Sequence, residues 1–441
     1  MADLGSSFSM ACRTTWHQNL ALSGAMAISL LLIGCSEPTA EERLANATVE
    51  GTAETGFYPH CSRDYDSYDP SDCVDLRTFD PEFYSRKDHS VISTAIEVAE
   101  RSLTIMSLAD THLFLNSITF TAGGSLVAVG GPHLQIARAD SEADPTWEVQ
   151  AFTRFADAFR DVTFRDANHG LATGNDGAIF RTRDAGDHWH AHNLPHNVWN
   201  AEEAHQLKLK GEAYAIAYAD DSTAVSGGNT HMLRTIDDGQ HWNPTGPGLG
   251  REAIQEIAFV DESTGWAIGS AGQVYRTRDA GASWTPVDVV GDDSHLMGLD
   301  FAGQHGCMAG NWQVWCTDDS GDSWQPAEVE RASSPTQPAA DGITRLRLED
   351  QHHGWFITRY GWIYATRDGG ASWQPWMEVP RAAHGALQEL QLWGLTIADQ
   401  KVWAAGSGSL MLPESQTRGA PLVGSSAILL SWPRAKPEHK T

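Results

Sequence analysis

Short alternating segments and small-residue segments follow one another along most of the chain. Ile257-Ala258-Phe259 leads to Gly265-Trp266-Ala267-Ile268-Gly269, and Val162-Thr163-Phe164 leads to Gly170-Leu171-Ala172-Thr173-Gly174. Alternation at period two reads as a half-buried strand. A short apolar run bounded by glycine reads as a strand buried on both faces. The second segment recurs seven times, ending at Gly130, Gly174, Gly227, Gly269, Gly310, Thr358 and Gly406, at intervals of 41 to 53 residues. That interval is the size of one four-stranded antiparallel blade.

A second pattern follows the first. Thr-x-Asp-x-Gly-x-x-Trp occurs five times, as Thr182 to Trp189, Thr235 to Trp242, Thr277 to Trp284, Thr317 to Trp324 and Thr366 to Trp373. The physical reading is a hairpin turn. The carboxylates of Asp184, Asp237, Asp279, Asp319 and Asp368 accept backbone N–H groups inside the turn. The glycine supplies a positive φ, and the tryptophan opens the next strand and buries its ring. These aspartates are therefore structural. Blade one keeps only the closing Trp147, and blade seven its first strands and Trp432. The expected fold is all-β, a seven-bladed β-propeller of four-stranded blades over residues 111–433, with a tail at 434–441.

The repeated element resembles the Asp-box, or BNR repeat. The longer consensus is carried most fully by Phe259-Val260-Asp261, by Gly265 to Gly269 and by Arg276 to Trp284. It resembles the photosystem II stability/assembly factor family, over roughly Leu115 to Trp432. The resemblance implies a seven-bladed propeller and, from the plant and cyanobacterial members, a part in assembling a membrane complex. It does not name the partner, because function resides in sites and not in folds.

The first residues read as an export signal. Arg13 precedes a largely apolar run from Leu20 to Ile33, short for a membrane span. Leu32-Ile33-Gly34-Cys35 resembles a lipobox, which implies cleavage after residue 34 and acylation of Cys35. Several acyl chains give durable anchoring. Ser36 in place of Asp points to the periplasmic side of the outer membrane. Residues 35–57 are small, polar and acidic and read as a tether. Residues 58–110 form an N-terminal segment that is a candidate for completing the ring.

Cysteine usage fits an oxidising compartment. Cys12 leaves with the signal and Cys35 carries lipid. Of the four that remain, Cys307 and Cys316 flank a two-residue turn at Asn311-Trp312, which places them opposite each other and within disulfide reach. Exclusion then pairs Cys61 with Cys73.

Charge narrows the partners. Lys plus Arg number 30 against 57 Asp plus Glu, a net charge of −27. Such a surface repels phosphate backbones, so nucleic acid is disfavoured. No cofactor motif is present. Three histidines alternate as His188-x-His190-x-His192, followed by His196 and His205; their rings share one strand face that could bind Zn²⁺ or Cu²⁺, and the reading preferred is an exposed outer strand with adventitious histidines. Asp64, Asp66, Asp69 and Asp72 lack the glycine and terminal glutamate of a calcium loop and read as a solvated segment. The sialidase arrangement would need three converging arginines, and nothing in the sequence singles out three among Arg160, Arg165, Arg345, Arg347 and Arg359.

The ligand surface is expected on the rim built by turns between second and third strands and by blade-to-blade connections. That rim is assigned Trp199, Trp312, Tyr360, Trp362 and Trp376 as partner anchors, with the connection 331–342 beside them. The chain is therefore read as a membrane-anchored scaffold, not an enzyme, that assists assembly of an envelope protein complex. The alternative is an Asp-box propeller that binds or hydrolyses a glycan. Cys35→Ala is expected to abolish fatty-acid labelling and release the protein from membranes. An unlabelled wild type would refute the lipoprotein reading.

Overall fold

The computed structural model describes residues 113–434, except 133, 144, 153–157, 193–211, 230–231, 247–252, 292–293, 333–340, 380–386 and 411–425. It also describes five strands before residue 113. Two compact units are present. In one, Pro59–His60 pairs antiparallel with Val74–Asp75. Cys35, Cys61, Cys73, Trp199, His196, His205, Asp64, Asp66, Asp69 and Asp72 lie outside the described residues.

The second unit is a seven-bladed β-propeller of antiparallel blades. Blade one runs from Phe114–Phe120 to Glu148–Phe152 and blade two from Phe159–Phe164 to His190–His192. Blade three runs from Ala213–Tyr218 to Asn243–Thr245 and blade four from Ile254–Phe259 to Thr285–Pro286. Blade five runs from Leu296–Ala302 to Gln325–Pro326 and blade six from Ile343–Leu348 to Ser372–Glu378. Blade seven joins both parts of the chain. Leu387–Ile397, Lys401–Leu410 and Ser426–Pro433 are continued by Arg101–Leu108 and Val91–Val98. The first strands of neighbouring blades pack side by side, and Leu387–Ile397 packs on Phe114–Phe120 to complete the circle.

Trp432 is thus not a closing tryptophan. It stands in the third strand of blade seven, opposite Val402. The strands that follow come from the N-terminal segment, where Leu429 faces Met106 and Leu430 faces Ile105.

The core is a ring of clusters at the seams between blades. Leu171 and Ile179 of blade two meet Ile216, Ala224, Leu233 and Trp242 of blade three. Trp266 and Ile268 of blade four meet Leu296, Leu299 and Met308 of blade five. A single blade has no second layer of its own, so each sheet is buried only by its neighbours.

Within a blade the repeated residues form one stack. The Phe164 ring crosses the sheet over Gly170, where a Cβ would stand 2.7 Å from it, and reaches Trp189 edge-on at 5.9 Å. Phe259, Gly265 and Trp284 repeat the arrangement, as do Phe301, Gly306 and Trp324. At the other end of the second strand the first strand bulges, and the glycine there faces backbone. A Cβ at Gly269 would lie 2.1 Å from the Ala253 carbonyl oxygen. In blade three Gly228, and not Gly227, occupies this place, opposite Ala213.

Outer edges are managed blade by blade. The fourth strands of blades two to five are two or three residues long, and three of them carry a proline, Pro244, Pro286 or Pro326. Short strands and proline both blunt an edge. Blades one and six instead gain a fifth strand, Tyr84–Asp88 and Glu328–Val329 respectively.

Closure by Arg101–Leu108 makes a quantitative expectation. Ile105 and Leu430 are fully buried and paired. Alanine at either should lower unfolding free energy by about 2–4 kcal/mol. The double variant should cost less than the sum, because the two sites share one contact. Denaturant titration measures both, and additive losses would mean that the two strands do not depend on each other.

Candidate functional site

The five Asp-boxes are built alike. Two successive residues adopt positive φ, Ala185-Gly186, Asp238-Gly239, Ala280-Gly281, Ser320-Gly321 and Gly369-Gly370. This geometry matches the twist of a two-stranded hairpin, and the second place is always glycine. In the fourth blade Thr277 Oγ1 accepts the Gly281 N–H at 2.8 Å and donates to Asp279 Oδ1 at 2.8 Å. The same Oδ1 accepts the Ser283 N–H, and Oδ2 accepts the Ser283 hydroxyl at 2.6 Å. Asp319 and Asp368 hold Ser323 and Ser372 in the same way.

In blades two and three a histidine replaces the serine. His188 Nδ1 lies 2.8 Å from Asp184 Oδ2, and His241 Nδ1 lies 2.5 Å from Asp237 Oδ2. His188 is therefore part of the turn, and the strand begins only at His190, which is exposed. The His188/His190/His192 reading as one strand face is corrected accordingly. Asp184, Asp187 and His188 lie close together at the surface, with His188 already engaged by Asp184.

Both oxygens of each box carboxylate are thus occupied. The Ser323 hydroxyl and amide and the Thr317 hydroxyl bring Asp319 down to about 2. Burial pushes the other four up, but hydrogen bonds from His188, His241, Ser283 and Ser372 outweigh it and leave them below the usual carboxylate range. A second set of aspartates, Asp166, Asp220, Asp261 and Asp350, caps the turn after the first strand. Each accepts the N–H groups two and three residues on.

The axis of the ring holds a charge network that the sequence reading did not single out. Arg345 of blade six pairs with Glu256 of blade four, and Arg347 lies 3.1 Å from the same carboxylate. They reach past blade five, where the corresponding residue is Gly298 and a Cβ would stand 2.8 Å from the Leu346 nitrogen. Asp161 of blade two accepts from Ser117 of blade one and from the Ile216 amide of blade three. Burial draws the Arg345 guanidinium down to about 10, opposed by the charge of Asp161, and burial pushes the Asp300 carboxyl up. Arg160, Arg165 and Arg359 have other partners, so only two of the five arginines considered converge. The one visible signal was polarity at first-strand places that other blades fill with Ala or Gly.

The rim opposite the boxes carries the exposed chemistry. The turn Asn311-Trp312 has positive φ at both residues, costly for an indole side chain. Trp312 donates Nε1–H to the Asp341 carbonyl at 2.6 Å and packs edge-on against Tyr364. Arg331 lies over the Trp312 ring at 4.8 Å. Asp341 Oδ1 accepts the Tyr360 N–H. Arg359 lies 5.3 Å from the Tyr360 ring centroid and 5.0 Å from that of Trp393, with Nε and Nη2 both donating to Gln391 Oε1. Among the described residues no carboxylate pairs with Arg359 or Arg331.

Two rim assignments need correction. Trp362 is only 9% exposed and packs in the seam between blades five and six. Trp376 stands on the outer strand of blade six, against Trp355 and Trp432, beside a surface groove of about 370 Å³. Trp312 and Tyr360 remain half-exposed at the rim. Arg359 and Trp393 join them, and no local motif marked either for this place.

The family described as "Photosynthesis system II assembly factor YCF48" matches residues 139–246 and 250–391, more than half of the chain. The chain belongs to the YCF48 family. A curated member, the photosystem II assembly lipoprotein Ycf48 of Synechococcus sp. (strain CC9902), is 31% identical over 139 residues. That stretch is 31% of this chain and 39% of the relative, so well under half of the relative is matched. Among solved structures, one titled "YCF48 bound to D1 peptide" has a TM-score of 0.53 at 15% identity, covering 78% of this chain and all of that one. YCF48 from Cyanidioschyzon merolae has a TM-score of 0.51 at 16% identity, covering 77% and 98%. At these identities the two structures speak to the YCF48 fold.

The box carboxylates have lowered folded-state values, so their contribution to stability is fully present above about pH 4, the range in which they titrate when unfolded. It is lost as pH falls toward about 2, where Asp319 titrates. Thermal melts should therefore drop steeply between about pH 4 and 2. Asp319→Asn should flatten its share of that drop. A melting temperature independent of pH over this window would contradict the box geometry.

Proposed function

We propose that this chain is a non-catalytic scaffold, lipid-anchored through Cys35 on the periplasmic side of the bacterial outer membrane. It assists assembly or stability of an envelope protein complex. Its loop-rich rim captures an extended, carboxylate-bearing segment of a subunit of that complex. The observation that carries this reading is Arg359, a guanidinium set between Tyr360 and Trp393 with no carboxylate partner among the described residues. A cation so placed is preorganised for an anion, because its orientation is fixed before the ligand arrives.

Two further facts support the reading. Trp312 is held in a strained backbone conformation beside the same rim, and such outliers cluster where ligands bind. A structure titled "YCF48 bound to D1 peptide" is that of a family relative holding a peptide. In a chain of net charge −27, an arginine with no carboxylate partner among the described residues also stands out locally against its surroundings.

The test is affinity purification in mild detergent from native membranes, with quantification of co-purifying subunits. One subunit should be enriched by wild type and reduced about tenfold by Arg359→Ala, the loss of a charge-assisted contact of about 1.4 kcal/mol. Melts of the two proteins should agree. Equal enrichment by both, or binding on a glycan array with no subunit enriched, would overturn the scaffold reading in favour of the carbohydrate one.

A further inference from the structure

The five Asp-boxes do more than turn the chain, because each is seated on the blade before it. In blade one Val127 and Arg138 face each other on neighbouring strands. Val127 fills the space beneath Gly186 of blade two, and Arg138 Nε donates to the Ala185 carbonyl at 2.9 Å. Leu171 and Arg181 seat the next box, under Gly239 and on the Asp238 carbonyl at 2.9 Å. Val225 and Arg234 do the same for Gly281 and Ala280, at 2.7 Å. In blade four Trp266 and Arg276 share the work. Trp266 lies under Gly321 and donates Nε1–H to the Ser320 carbonyl, while Arg276 holds Asp322.

At the fifth seam the apolar residue is Cys307 and the arginine is Cys316, and the two are bonded to each other. A Cβ at Gly370 of the box in blade six would stand 2.5 Å from Cys316 Sγ and 2.8 Å from Cys307 Sγ. The bond therefore occupies the seat that an apolar side chain and an arginine fill elsewhere. His305 stands at the same seam, almost fully buried. Its Nδ1 is 2.7 Å from Asp318 Oδ1 and its Nε2 is 3.9 Å from Cys307 Sγ. Cys307 is fully buried and Cys316 keeps 9% exposure.

We propose that Cys307–Cys316 is a redox-sensitive latch that seats the Asp-box of blade six when closed and releases it when reduced. Reduction by a dithiol transfers two electrons and two protons. The thiolate of the reductant attacks Cys316 Sγ, Cys307 leaves as a thiolate beside His305, and the second thiol of the reductant then closes on its own disulfide and frees Cys316. A stabilised leaving thiolate speeds this exchange. The two thiols left behind lack the arginine fork that holds the box turn at the three preceding seams from blades one, two and three.

The test is hydrogen exchange of the 366–373 segment in the full chain, oxidised and after dithiothreitol. Exchange in this segment should quicken about tenfold on reduction while the box at 277–284 stays unchanged. Cys307→Ser/Cys316→Ser should behave as the reduced protein under both conditions. Cys307→Val/Cys316→Arg, which restores the pair used in the first and third blades, should be protected under both. His305→Gln should slow reduction several-fold. Equal protection of 366–373 in oxidised and reduced wild type would overturn the latch. So would a Val/Arg variant that folds but exchanges like the Ser/Ser one, since the bond would then act only as a covalent constraint. Wild-type reduction remains decisive if either variant fails to fold.

Discussion

The structure depends on how one blade sits upon the next. A four-stranded sheet has two faces and no layer of its own to cover them. Each must be buried by a neighbour, and the ring supplies that neighbour for every blade. The Asp-box serves this contact. Its threonine and aspartate lock a turn with two positive φ values, and the glycine of that turn lacks the Cβ that would hold neighbouring blades apart. Val127, Leu171, Val225, Trp266 and the Cys307–Cys316 bond press into the gap so made. A local hydrogen-bond pattern is in this way converted into a seam, and successive seams into a closed fold.

Closure makes a second demand, since the last seam joins parts of the chain far apart in sequence. It is met by pairing Arg101–Leu108 with Ser426–Pro433, so that blade seven is completed by N-terminal residues. At the axis, buried charges join first strands that belong to different blades. A buried ion pair contributes little net stability, because desolvation offsets attraction. Leaving Glu256 without Arg345 and Arg347 would nonetheless be costly, and that penalty disfavours any other packing of blades four and six. The network is better understood as specifying register than as stabilising the ring.

How much of this was legible follows from which interactions are local. The five boxes and the pairing of Cys307 with Cys316 each rest on neighbouring residues, and the blade spacing follows from the recurrence of such local patterns. The turn at Asn311-Trp312 decides the cysteine pairing directly. The Arg345–Glu256 pair joins blades four and six and has no sequence pattern to announce it. The strands Val91–Val98 and Arg101–Leu108 carry no box, so nothing local assigned them to blade seven. Trp362 and Trp376 were assigned to the rim from their nearness to a turn. The seam took the first and the outer strand the second, because large rings are buried wherever a gap admits them. His188 was drawn into an Asp-box because Asp184 Oδ2 needed a donor and the four remaining box aspartates take theirs from the same place in the repeat.

These distinctions also bear on where binding chemistry can reside. The box rim is rich in carboxylates, but Asp184, Asp237, Asp279, Asp319 and Asp368 are each spent on holding their own turn. At the axis Arg345 and Arg347 are taken up by Glu256. What remains is the opposite rim, where a blade can vary its connections without disturbing a seam. There Arg359 is oriented by two rings and one amide, and Trp312 accepts an unfavourable backbone to place its indole against Asp341. A strained Trp312 and an Arg359 with no carboxylate partner among the described residues are poorly explained by the stability of the ring. Under the proposed function Arg359 would meet the carboxylate of the partner there, on a face that no neighbouring blade covers.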